Sequence, residues 1–247
     1  MNRRRWFGWT LFALGLGFAS SASLACSKSE ASESVPGAAQ SAARGCIAAT
    51  IEHLEHTDDR DGVEHDVRYK EHFVHCGDRV WTERNLPRGV PDHVARSHER
   101  HAMPPTFTLA RLVERAMDDH GALSLVSRAE RRIIAISPES YDVARFDEDF
   151  DAASHLIATR AIATMTPMQD REAPAGAEWR TRSSAGGVVR VLWSKLYDFP
   201  LQIESESGGG MKRDTIKVVL EPPPLASDLP WAAIGDYEKK RDTDYMD

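Results

Sequence analysis

The sequence predicts an α+β fold: a single curved antiparallel β-sheet, a half-barrel, with helices packed on its concave face. Three observations lead there. The stretch from Cys46 to Leu86 reads as three strands folded back on one another, and a second set of strands between Glu178 and Leu220 is joined by short glycine and proline turns. Between the two sets lie two stretches with the apolar spacing of helices. Short connections within each set require antiparallel pairing, because a parallel pair needs a crossover of a dozen residues or more.

The first strand alternates through Ile47, Ala49 and Ile51, and the second places Val63, Val67, Tyr69 and Phe73 on one face. Between them Asp58-Asp59-Arg60-Asp61-Gly62 is a turn with glycine where a three-residue loop needs a positive φ. With Arg60, Asp61 and Gly62 as the loop, Asp59 faces Val63, and counting outward brings Cys46 opposite Cys76. Gly77-Asp78 closes the second hairpin, with Val74 facing Trp81.

Residues 87 to 105, with four prolines and three histidines, read as a long surface loop. A helix is predicted over Phe107 to His120, where Leu109, Leu112, Val113, Ala116 and Met117 share one stripe before Gly121. Ala122 to Val126 and Arg132 to Ser137 form a hairpin. A second helix, Phe150 to Met165, carries Phe150, Ala153, Leu156, Ile157, Ala161 and Met165 on one side, led in by Asp147, Glu148 and Asp149. Strands follow at Glu178 to Ser183, Val188 to Lys195, Leu201 to Ser205 and Thr215 to Leu220. After Pro222-Pro223-Pro224 a short helix-like segment, Trp231 to Glu238, precedes a charged, frayed tail, residues 241–247.

Of the 247 residues, 41% are hydrophobic and 28% charged, which suits one globular domain, residues 46–240. Arg3, Arg4 and Arg5, the apolar run Trp6 to Ala19 and the small residues that follow make residues 1–25 a secretory signal peptide. Its removal takes three of the 31 basic residues and leaves all 38 acidic ones, a mature net charge of about −10. Nucleic acid is a poor partner for such a surface. The odd cysteine, Cys26, stands at the cleavage point and is the expected site of lipidation, although Ser23 occupies the place where lipoprotein signals usually carry leucine. Residues 26–45 then form a flexible tether, with a coil dimension of about 20 to 25 Å. The protein is expected on the periplasmic face of the envelope, as an outer-membrane lipoprotein held by its N-terminal lipid.

Cys46 and Cys76 are expected to form a cross-strand disulfide in that oxidising compartment. There is no C-x-x-C, G-x-S-x-G, H-E-x-x-H or glycine-rich phosphate loop, and the reading is of a non-enzyme. His53, His56, His65, His72, His75, His93, His98, His101 and His120 crowd the first half of the mature chain, leaving only His155 outside. His98, His101 and Met103 are the candidate copper or zinc ligands of an alternative function, a periplasmic metal-binding or delivery accessory. No other cofactor is expected.

The run Val191-Leu192-Trp193-Ser194-Lys195-Leu196-Tyr197-Asp198-Phe199-Pro200-Leu201-Gln202-Ile203-Glu204 resembles the strand-turn-strand of the periplasmic lipoprotein carriers and their relatives (LolA/LolB-like), in which a tryptophan-bearing strand turns at a Leu-Pro or Phe-Pro step. The resemblance is specific over residues 188 to 220. It implies a half-barrel whose helices enclose an apolar cavity for acyl chains, and a lipid, acyl ligand or envelope protein as partner. The lining expected here is Ile51, Val67, Tyr69, Phe73, Val189, Val191, Trp193 and either Leu201 or Ile203, beneath the helix over 107–120.

Overall fold

A computed structural model describes residues 45–58, 61–86 and 109–245. Cys26, the tether, His93, His98, His101 and Met103 lie outside the described residues. The first three strands are β1 (Cys46–Asp58), β2 (Glu64–Cys76) and β3 (Arg79–Arg84). Their register is the one the turns dictate: Cys46 pairs with Cys76 and Val74 with Trp81. Gly62, at φ 78°, supplies the left-handed residue that the first turn needs.

The segment predicted as a helix over 107–120 is instead β4 (Ala110–Arg115), followed by a single 3₁₀ turn, Met117–Asp119. Both of its faces are buried: Leu109 and Val113 pack into one core, Ala110 and Leu112 into another. A strand covered on both sides loses its alternation, and a short apolar run then mimics a helical stripe. β5 (Gly121–Ser127) and β6 (Arg132–Ala135) complete this half of the sheet as the expected hairpin. At Gly121 a Cβ would lie 2.7 Å from the Phe146 ring, so only glycine lets that ring rest on the strand.

Three short helices follow, α1 (Tyr141–Ala144), α2 (Phe150–His155) and α3 (Thr159–Ala163). The single helix predicted over 150–165 is thus broken, because Leu156 takes a left-handed conformation (φ 61°) and the Asp151 carboxylate accepts from the backbone N–H and hydroxyl of Thr159, starting a new helix. Asp149 caps α2 by accepting from the Ala152 N–H. Then come β7 (Thr166–Pro167), β8 (Ala177–Ser184), β9 (Gly187–Ser194), β10 (Phe199–Ser207) and β11 (Lys212–Glu221).

The helix-like segment expected over Trp231 to Glu238 is helical only in its first part, a 3₁₀ turn over Pro230–Ile234, and then leads into β12 (Glu238–Arg241), which pairs parallel with β6. The expected frayed tail is docked at its start, where buried Asp242 accepts from the backbone N–H and hydroxyl of Ser137. Burial pulls this carboxyl up, but the hydrogen bonds from Ser140 and Ser137 outweigh it and hold it below the usual range.

All twelve strands form one sheet, in the order β12-β6-β5-β4-β3-β2-β1-β11-β10-β9-β8-β7, mostly antiparallel and not closed into a barrel. The pairing of β1 with β11 joins the two halves of the chain. On the helix-bearing face, Ala49, Ile51, Phe73, Val80, Leu123, Leu125 and Ile134 pack with Tyr141, Phe146, Phe150 and Phe199. Beside them Val191, Trp193 and Ile203 lie under Ile162 and Met165 of the α3 region. The opposite face buries Val74, Trp81, Leu112 and Val126 under Ile234, with Trp231 and Tyr237 alongside. Each such large side chain contributes about 1.5–3 kcal/mol on burial.

Candidate functional site

The register carries every expected lining residue onto the helix-bearing face. Ile203, in register with Val191, belongs to that set, whereas Leu201 falls at a break in the β9–β10 ladder. The structure does not bring the set together around one space. Ile51, Phe73, Val191, Trp193 and Ile203 are buried and interdigitated. Phe73 meets Phe199 at 5.4 Å between ring centroids. Val189 is partly buried against the same cluster, and Val67 stands exposed near the free end of the β1–β2 hairpin. Of the expected residues, Tyr69 borders a groove described next.

The open space lies one step along the same face, between the sheet and the first two helices. Two adjoining cavities of about 590 and 420 Å³ share Glu71, Thr82, Arg111 and Arg145. Their sheet wall is set by cross-strand pairing: Glu71 opposite Arg84, Thr82 opposite Arg111, and Arg111 opposite Leu125. Aliphatic side chains flank these polar ones, Val80 and Val113 in the larger cavity and Leu109 and Leu125 in the smaller. The helix wall is Phe146, Ala153 and Leu156 on one side and Val143 and Ala144 on the other. Arg145 ends α1 in a left-handed conformation, φ 53°, between the two.

A stacked polar ladder borders the smaller cavity. The Arg84 guanidinium lies 3.9 Å from the centre of the Tyr69 ring, and His53 stacks on Tyr69 at 4.4 Å. His53 Nε2 is 3.1 Å from a Glu71 oxygen. Burial raises the Tyr69 hydroxyl pKa, with Glu71 adding to it, so the phenol stays protonated. Arg111 is half-buried, and burial works against its charge, while Glu71 and Asp147 favour it. Among the described residues its side chain forms no hydrogen bond or ion pair, and neither does that of Arg145. The three arginines escape a reading of the sequence because Arg111 falls within a predicted helix; the signal that could have found it is the alternation Leu109-Arg111-Val113, a charge on the inward side of a strand.

The disulfide is present as expected, with Cα atoms 4.4 Å apart. His75, beside it, donates from Nε2 to the Gly77 carbonyl at 3.0 Å, and its buried Nδ1 has no hydrogen-bond partner among the described residues. Desolvation pushes this imidazole below its ordinary pKa, helped by His155 and Arg115. His155 sits 5.9 Å away, and the acidic run 147–151 beside it serves as helix caps and ion pairs, Asp149 with Arg160 and Asp151 with His155. Among the described residues no group of three or more His, Cys, Asp or Glu side chains is arranged to hold a metal ion, and no helix is long and apolar enough to cross a membrane.

No family model and no curated protein matches the chain. Solved structures with a similar architecture include an uncharacterized conserved protein from Thermus thermophilus, at 10% identity and TM-score 0.42 over 79% of this chain and 90% of that one. A putative outer membrane lipoprotein-sorting protein domain from Vibrio parahaemolyticus aligns at 14% identity and TM-score 0.35, covering 77% and 89%. A LolA superfamily protein from Nitrosomonas europaea aligns at 12% identity and TM-score 0.32, covering 76% and 94%. At these identities each likeness concerns fold architecture alone.

Proposed function

We propose that the chain is a non-catalytic cell-envelope binding protein that holds an apolar or lipid-like ligand in the groove on the concave face of its sheet, attached to the membrane through lipid on Cys26. The observation that carries this reading is the groove itself, a space of about 590 Å³ between the sheet and the helix layer whose walls include Val80, Val113, Phe146 and Leu156. A cavity of that kind on a sheet face is a ligand site by default, and the two volumes fall in the range of about 300–1,000 Å³ typical of one. Cys46 and Cys76 are bonded to each other, so neither offers a thiolate nucleophile. An exported protein with this groove suits an acyl chain or the lipidated end of another envelope protein.

Organic extraction and mass spectrometry of the protein purified from its own envelope test the reading. Close to one acyl species per chain is expected. Saturation with palmitate should raise Tm by about 5–10 °C, the consequence of about 2.7 kcal/mol of linkage at a hundredfold excess over Kd. Protein that carries no acyl species and melts at the same temperature with palmitate or a triacylated lipopeptide would overturn it.

A further inference from the structure

We infer that the groove selects a ligand whose apolar part ends in an acidic group, a carboxylate or phosphate, seated on the guanidinium of Arg111 and reached from either side by Arg84 and Arg145. This rests on the proposal that the groove holds an apolar ligand and names the polar end of that ligand. Three facts converge. Arg111 lies on the floor shared by both cavities, its guanidinium partly desolvated and with no hydrogen bond or ion pair among the described residues. A guanidinium taken out of water without a partner is destabilising, so a chain that keeps one there gains where an anion completes it. The carboxylates in reach do not fill that role: Glu71 is engaged by His53, and Asp142 and Asp147 line the helix side of the larger cavity without pairing to Arg111.

Geometry supplies the rest. Thr82 and Arg111 face each other across β3 and β4, so a hydroxyl donor stands beside the guanidinium. Arg84 borders the smaller cavity with its guanidinium carbon 3.9 Å from the centre of the Tyr69 ring, a contact with the ring face that uses none of its N–H donors. Arg145 closes the set from the helix side. Planar guanidiniums suit carboxylate and phosphate oxygens because two parallel N–H groups meet two oxygens. The aliphatic walls on either side would take the chain attached to that group.

The test compares palmitate, hexadecanol and inorganic phosphate on the full mature chain by displacement of the neutral dye N-phenyl-1-naphthylamine and by calorimetry, with wild type, Arg111→Gln, Arg111→Lys and Arg145→Gln. Palmitate is expected to bind wild type at least about tenfold more tightly than hexadecanol, the scale of one charged hydrogen bond. Arg111→Gln should remove that difference and leave hexadecanol unchanged, Arg111→Lys should keep part of it, and exposed Arg145→Gln, safe for folding, should reduce it by a smaller factor. Equal binding of palmitate and hexadecanol to wild type would overturn the inference and leave the apolar reading standing. Binding of phosphate alone, lost in Arg111→Gln, would support the anion seat and overturn the apolar reading. Loss of both lipids in Arg111→Gln with an unchanged melting curve would overturn the anion role.

Discussion

The helix-bearing face is packed at one end and open at the other. Over β9 and β10, Val191, Trp193 and Ile203 pack with Ile162 and Met165, and Phe73 of β2 meets Phe199 of β10. Where the same face carries Tyr69, Glu71, Thr82, Arg84 and Arg111, on parts of β2 to β4, two cavities separate it from the helix layer. The difference follows from the side chains. Apolar groups gain by excluding water and draw the helix layer down, whereas charged groups keep part of their hydration and hold the layer away. An apolar face therefore predicts where a core will be, and a polar interruption within it predicts where an opening will be.

Truncation in the packed part has the largest expected effect. Phe73→Ala should lower unfolding free energy by about 3–5 kcal/mol, because the buried ring leaves a cavity beside Phe199 that the sheet cannot close. Urea unfolding measures it, and a loss below about 1 kcal/mol would mean that this end of the face is not tightly packed. Next comes the double change Cys46→Ser, Cys76→Ser. It opens a loop of sequence separation 30 and should cost about 3.5 kcal/mol in the chain-entropy model while leaving ligand affinity in the distant part of the groove unchanged. A change in affinity equal to the change in stability would show that the groove is not independent of the hairpin's closed end.

The open end should respond in the opposite sense. Arg111→Leu replaces an unpaired, partly desolvated guanidinium with a side chain that Val113 and Leu125 can accept, and the expected change lies within about 1 kcal/mol, toward greater stability. Strong destabilisation in a melting experiment would mark Arg111 as structural and remove the contrast between the two ends.

The smallest effect concerns pH. His75 has a folded-state pKa below its unfolded value, chiefly through burial, so its contribution to stability is full above about pH 6.5 and is lost as pH falls below that. His155 and Arg115 add to the depression and Asp78 opposes it. His75→Gln should flatten the fall in Tm between pH 6.5 and 5 relative to wild type; an unchanged slope would assign that fall to other groups.

The strand hairpins, their register and the disulfide are legible in the residues themselves, because turn residues and alternation act locally and the side-chain period of two allows no drift. The turn that ends at Gly62 sets a register that brings Cys46 to Cys76. The second strand set is equally legible, since each of its turns carries its own glycine or proline. Two-sided burial is not. Ala110 and Leu112 are covered by Ile234, more than a hundred residues later, and nothing near them in the chain records that cover. The parallel pairing of β12 with β6 and the docking of Asp242 on Ser137 depend likewise on distant partners. The groove is the clearest case: which apolar residues share a face follows from counting along strands, but whether helices fill the space above them depends on packing between elements that meet only in three dimensions.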